Sequence, residues 1–172
     1  MLTEGDPAPS VTAPMATPEA ARDAERGNYT SDDVAEFDLE TVLEDGPVVL
    51  AFYPGVYSRT CTRELCELRD WRAELAELDA NVYGVSADTP WSLLAFIDEY
   101  DLSYPLVSGF NTDVIAEFGV QREDGPLRGI ANRAVFVVDP DGTVTYTWSA
   151  DQPLTFPDTD ELATEIRAAG DP

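Results

Sequence analysis

The sequence predicts an α/β protein with a central mixed β-sheet flanked by helices. Three observations predict it. Val48–Tyr53 is a continuous apolar, β-rich run, as expected of a strand buried on both faces. Strand-like and helix-like stretches alternate through the middle of the chain. Near the end, Ala134–Val138 and Val144–Trp148 flank the turn signal Pro140-Asp141-Gly142, which reads as a hairpin.

Element by element, the chain opens with a short strand near Val11. An irregular surface segment follows, rich in Pro, Ala, Thr and charge, and Val34–Leu39 reads as another short strand. Pro54 and Gly55 end the strand at 48–53. From Thr60 to Leu78 the pattern turns helical, with Leu65, Leu68, Leu75 and Leu78 at spacings of three and seven, and Ser58 or Thr60 able to cap its start. Then come a strand at Val82–Val85, a helix at Pro90–Tyr100, a strand at Pro105–Val107 and a helix over Thr112–Phe118. A last helix covers Asp160–Ala169. There is no internal repeat, and residues 1–172 read as one domain.

Charge excludes several functions. The 172 residues carry 34 acidic side chains against 10 basic ones, for a formal net charge of −24. All the cations are Arg. Such a surface repels nucleic acid and anionic lipid, so neither is an expected partner. The self-repulsion weakens near molar salt, where the Debye length shrinks to ~3 Å, so the composition reads as that of a halophile. An acidic mesophile protein is the alternative. No apolar run approaches the roughly 20 residues of a membrane span, and the first residues lack the pattern of a secretory leader. The expected location is the cytoplasm. With His absent there is no Ser-His-Asp or Cys-His machinery. Two cysteines make a poor zinc site, so neither a metal nor another cofactor is expected.

The informative stretch runs from Tyr53 to Cys66, YPGVYSRTCTRELC. It places Cys61 just after a buried strand and in the first turn of a helix, where free N–H groups and the positive end of the helix dipole converge. Helix N-termini and nearby cations bring thiols from a pKa near ~8.5 to ~3.5–7.5, and the thiolate is the form that attacks peroxide. Arg59 and Arg63 are close in sequence. The competing reading is a small buried hydrophobe, common for free Cys; the strand, turn and helix-start context favours the nucleophile.

Here the sequence resembles the peroxiredoxins, which have a thioredoxin-like fold. Their signature of Pro, three residues, Thr or Ser, two residues and Cys is matched by Pro54, Ser58 and Cys61, and Glu64 continues it. A second match is Gly129–Asp139, where the family has an active-site Arg at a strand start, here Arg133. Gly5-Asp6-Pro7-Ala8-Pro9 matches the family's N-terminal signature. Residues 14–33 look like an insertion. The resemblance implies a thiol peroxidase acting on hydrogen peroxide or organic hydroperoxides, with Cys61 as nucleophile. Pro54 would shield the thiolate. The Ser58 hydroxyl, the Cys61 N–H and the Arg133 guanidinium would hold the peroxide oxygens, an electrostatic task like that of an oxyanion hole. Glu64 would orient Arg133. The alternatives are a strand-edge charge for Arg133 and a solvated helix residue for Glu64.

Cys66 lies five residues beyond Cys61, the spacing of the resolving cysteine in the bacterioferritin-comigratory type of peroxiredoxin. The resemblance then implies an intrachain disulfide, reduced by a thioredoxin-like or other thiol donor. In an intact helix, five residues separate Cα atoms by ~8–9 Å, beyond the ~4.4–6.8 Å of a disulfide, so the first helical turns would have to unwind. The Gly129–Val138 and Leu106–Phe110 stretches resemble instead the alkyl hydroperoxide reductase E type, associated with a one-cysteine mechanism resolved by an external thiol. The two resemblances divide between a homodimer and a monomer. A thioredoxin-like disulfide oxidoreductase shares the fold, but the four-residue gap departs from Cys-x-x-Cys. A non-catalytic module is a third class, supported only by the acidic surface and the segment at 14–33. Finally, Arg59, Arg63, Arg69 and Arg72 fall within fourteen positions whose formal charge is +1. They read either as helix-surface pairing or as a landing patch for an acidic reductant.

Overall fold

The structure, a computed structural model, describes residues 1–78, 80–150 and 156–170, with the side chains of 73–76 also outside the description. Its seven strands are β1 (Thr12–Ala16), β2 (Ala35–Asp38), β3 (Val48–Phe52), β4 (Asn81–Ser86), β5 (Leu106–Ser108), β6 (Ala134–Val138) and β7 (Val144–Ser149). The helices are α1 (Pro18–Asp23), α2 (Leu39–Leu43), α3 (Arg59–Leu75), α4 (Pro90–Tyr100), α5 (Val114–Glu117) and α6 (Thr159–Gly170).

The strands form one sheet in the order β2-β1-β5-β4-β3-β6-β7. Strands β3, β4 and β5 run parallel, and the remaining pairings are antiparallel, so the sheet is mixed as the sequence predicts. The apolar run of β3 is explained by its central place. Val49 and Ala51 face one core with Leu65 and Leu68 of α3, Phe96 and Ile97 of α4, and Leu162 and Ile166 of α6. Val48, Leu50 and Phe52 face the other core, with Leu39 and Leu43 of α2 and Val114 and Ile115 of α5. A strand covered on both faces has no polar side to show. Gly84 of β4 makes room for two core side chains: a Cβ there would lie 2.6 Å from Leu106 of β5 and 3.1 Å from the Tyr53 ring.

The hairpin β6–β7 closes through Gly142, whose positive φ of 81° suits the turn. The Gly5–Ala8 segment is stitched to it, with Gly5 N–H donating to Val144 at 2.8 Å and Ala8 N–H to Gly142 at 2.8 Å.

Residues 14–33 are more regular than the irregular surface segment the sequence suggests. β1 extends to Ala16, and α1 is capped by Thr17, whose hydroxyl accepts from Ala20 N–H at 3.2 Å. The helix packs on α4 through Ala21. It spans only six residues and buries one of them, so its periodicity is too short to stand out. The second strand is also shorter than predicted, because Asp38 caps a helix and Leu39 begins it.

Candidate active site

α3 carries the reactive-cysteine candidate, and its phase follows from burial. Cys61, Glu64, Leu65 and Leu68 are buried at spacings of three, four and seven, one helical face. Residues around them at the surface, including Arg59 and Arg63, point outward. The helix start is set by Ser58, whose hydroxyl accepts from the Cys61 N–H at 3.3 Å, an N-cap contact worth about 1 kcal/mol. The two groups expected at the peroxide lie against each other, a helix's first N–H groups needing acceptors.

Arg133 arrives from the other end of the chain. It immediately precedes β6, and the register pairs Phe52 with Ala134, so the end of β3 and the start of β6 meet at one edge of the sheet. Arg133 Nη2 donates to Cys61 Sγ at 3.2 Å, and its Nε donates to Glu64. The Arg133 and Glu64 side chains are each 7% exposed. Burial pushes the Glu64 carboxyl up to about 7, while the Arg133 charge pulls it down. Desolvation of the carboxylate outweighs the ion pair here. Cys61, Glu64 and Arg133 thus form one buried cluster in which a cation faces the sulfur.

Pro54 is half-buried and shares a cleft with Arg133. Together with Val120, Arg122, Asn132, Arg133 and Ser149 it lines a cleft of about 520 Å³. Cys61, only 1% exposed, is linked to this cleft through Arg133, which lines it and donates to the sulfur. Cys66 is half-buried on the same helix, and both cysteines are free thiols. Burial pushes the Cys66 thiol up, with Arg69 opposing.

Two positioning residues escape sequence reasoning. Asp88 accepts from Val56 N–H at 2.9 Å and from the Ser86 hydroxyl at 2.7 Å, tying the Pro54–Ser58 loop to the end of β4. Tyr104 is fully buried and donates to the Leu65 carbonyl at 2.7 Å, clamping α3 beside Cys66. Each partner lies more than thirty residues away in sequence, so no local pattern announces either contact. Of the arginines at 59–72, Arg63 pairs with Glu67 at 3.5 Å and Arg69 with Asp70 at 2.9 Å, which supports helix-surface pairing for those two.

The AhpC/TSA family profile matches residues 5–147. The chain belongs to this family, the peroxiredoxins. Among its relatives, the protein named "Putative peroxiredoxin Rv1608c" of Mycobacterium tuberculosis is 38% identical over 126 residues, covering 67% of this chain and 81% of that one. The crystal structure of peroxidoxin BcpB from the same organism is 29% identical with a TM-score of 0.76, covering 98% of both chains. Mycobacterium tuberculosis AhpC, at 20% identity, 98% and 93% coverage and a TM-score of 0.80, shares the fold. The peroxiredoxin architecture and its thiol peroxidase activity agree with the sequence reading. Among the described residues, no helix of this peroxiredoxin is long and apolar enough to cross a membrane.

Proposed function

We propose that this peroxiredoxin reduces hydrogen peroxide or organic hydroperoxides through Cys61, with Arg133 as its catalytic cation, Glu64 as the positioning residue and Cys66 as the resolving thiol. The 3.2 Å contact between Arg133 and the Cys61 sulfur carries the reading. The Cys61 thiolate attacks one peroxide oxygen, forming an S–O bond as the O–O bond breaks. The departing oxygen keeps the electron pair, takes a proton and leaves as water or an alcohol. Arg133 stabilises charge on the oxygens. Ser58, already accepting from the Cys61 N–H, retains its own hydroxyl proton for the substrate. Pro54 shields the thiolate at the cleft wall.

The product is a sulfenic acid. In the second step Cys66 attacks that sulfur, forming the S–S bond as the S–O bond breaks and water departs. A thioredoxin-like or other dithiol then returns two electrons. α3 is helical from Arg59 to Leu75, so its first turns must unwind for the two sulfurs to meet.

The raised Cys66 pKa favours a second reading, the one-cysteine cycle, because less Cys66 thiolate is then available. Intact-mass analysis after one equivalent of peroxide separates the readings. Loss of two hydrogens is the expected result, with a gain of one oxygen in Cys66→Ser. A persistent gain of one oxygen in wild type would leave only the one-cysteine cycle. No mass change with any peroxide would sink the assignment of Cys61.

A reducing, cytoplasmic setting is part of the proposal, because the cycle starts from both cysteines as thiols. The whole chain is read as one catalytic unit, with residues 14–33 as an insertion docked on α4. A homodimer is part of the proposal, supported by the half-exposed apolar side chains Tyr57, Trp91 and Phe110.

A further inference from the structure

We propose that the cleft beside Arg133 selects hydroperoxides that carry a carboxylate, and that Arg122 is the residue that reads it. This rests on the assignment of Cys61 as the peroxide-attacking thiol.

Size is the first argument. The cleft holds about 520 Å³, within the range of small-molecule sites. Hydrogen peroxide is not much larger than a water molecule, whose share of liquid volume is ~30 Å³. The space accommodates an organic substituent on the peroxide.

Charge is the second. Among the described residues, the lining includes Arg122 and Arg133 and no Asp or Glu, in a chain with 34 acids and 10 cations. Arg133 is bonded to Glu64, which offsets its charge. Arg122 has no carboxylate partner among the described residues, and its neighbours Glu123 and Asp124 are not part of the lining. The cleft therefore presents a cation to its contents while most of the surface repels anions.

The third argument is that Arg122 is placed, not merely nearby. Its N–H donates to Ile130 at 2.9 Å and its carbonyl accepts from Gly129 at 2.9 Å. Gln121 bridges to Ala131, and Gly129 turns the chain with a φ of 96°. Arg122 Nε donates to Asn132 Oδ1 at 3.4 Å. The Arg122 backbone is thus fixed, and its exposed guanidinium touches the residue next to Arg133, on the cleft wall the two arginines share. A substrate with its peroxide at Arg133 and its carboxylate at Arg122 would satisfy both. An arginine offers the fixed donor fork that a carboxylate accepts.

The test compares cumene hydroperoxide with its para-carboxylate derivative, a pair differing in one group. Second-order rate constants for Cys61 oxidation are measured near 1 M KCl, where the Debye length of ~3 Å suppresses long-range repulsion. Wild type is expected to favour the carboxylate about fivefold, the scale of one partly exposed ion pair. Arg122→Gln brings the ratio to about one, Arg122→Glu inverts it, and Arg122→Lys restores part of it. The ratio is insensitive to a general loss of activity in a variant. A wild-type ratio of one or less would overturn the proposal, as would equal ratios in wild type and Arg122→Gln. Failure of wild type to consume either compound, or hydrogen peroxide, would instead overturn the assignment of Cys61.

Discussion

Arg133 and Cys61 are 72 residues apart in sequence and 3.2 Å apart in space, guanidinium nitrogen to sulfur. Both are buried, so the contact operates with little water between or around its partners. Arg133→Gln is expected to lower the rate constant for peroxide attack by about 10²–10³, the scale of one lost electrostatic donor. Arg133→Lys should recover little, since a point charge cannot hold both Glu64 and the sulfur. Rapid-quench mass spectrometry of Cys61 oxidation measures this.

Glu64 links the site to pH. Its folded pKa is raised to about 7, above an ordinary value of 4.5. As pH falls through 7, Glu64 takes up a proton and loosens its hold on Arg133, so peroxide attack should slow. Stability moves the other way. The folded state binds this proton more tightly than the unfolded state, so the stabilisation is complete below about 4.5 and is lost as pH rises toward 7. Glu64→Gln should flatten the rate decline below pH 7. Rate profiles and urea midpoints from pH 5 to 8 in both proteins (roughly the window this group spans) test the two signs together.

Tyr104 braces α3 next to the residue that must approach Cys61. Tyr104→Phe removes one buried hydrogen bond and should cost about 1 kcal/mol of stability. It should also speed formation of the Cys61–Cys66 disulfide after oxidation, because the unwinding of α3 becomes easier. Unchanged resolving kinetics in a measurably destabilised variant would show that Leu65 stays clamped during the step.

Asp88 holds the Pro54–Ser58 loop by one N–H at Val56. Asp88→Asn keeps an acceptor but loses charge, and should lower the rate of peroxide attack several-fold, on the order of one charged hydrogen bond of about 1.5–3 kcal/mol. Asp88→Ala should lower it further. Hydrogen exchange at Val56 reports whether the loop is released.

The net charge of −24 predicts salt dependence. Raising KCl from about 0.1 M to 1 M contracts the Debye length from ~10 Å to ~3 Å. The thermal midpoint should rise across that range, and stay elevated when NaCl replaces KCl. A falling midpoint would count against the halophile reading of the composition.

Much of this was legible in the amino-acid sequence, for physical reasons. β3 is apolar throughout because it is covered on both faces, and Pro90 and the apolar pattern marked α4 at the bounds observed. The resemblance of Pro54, Ser58 and Cys61 to the family signature lies within one strand-to-helix turn, so it is legible locally. Arg133 is marked by a second resemblance, at the start of β6, and lies against Cys61 in the structure. Asp88, Tyr104 and Arg122 were not found, because each acts through a partner brought near only by tertiary folding. α1 escaped because its six residues bury only Ala21.

The pairing of Phe52 with Ala134 has a consequence for quality control. If β6 slipped by one residue against β3, Arg133 would shift by about 3.4 Å along the strand and its neighbours would exchange faces. Cys61 would then keep its helix start but lose the cation that faces its sulfur. The thiol comes under the cation only when two strands from distant parts of the chain are in register. Under the roles proposed for Cys61 and Arg133, reactivity toward peroxide would report the correct register of those two strands.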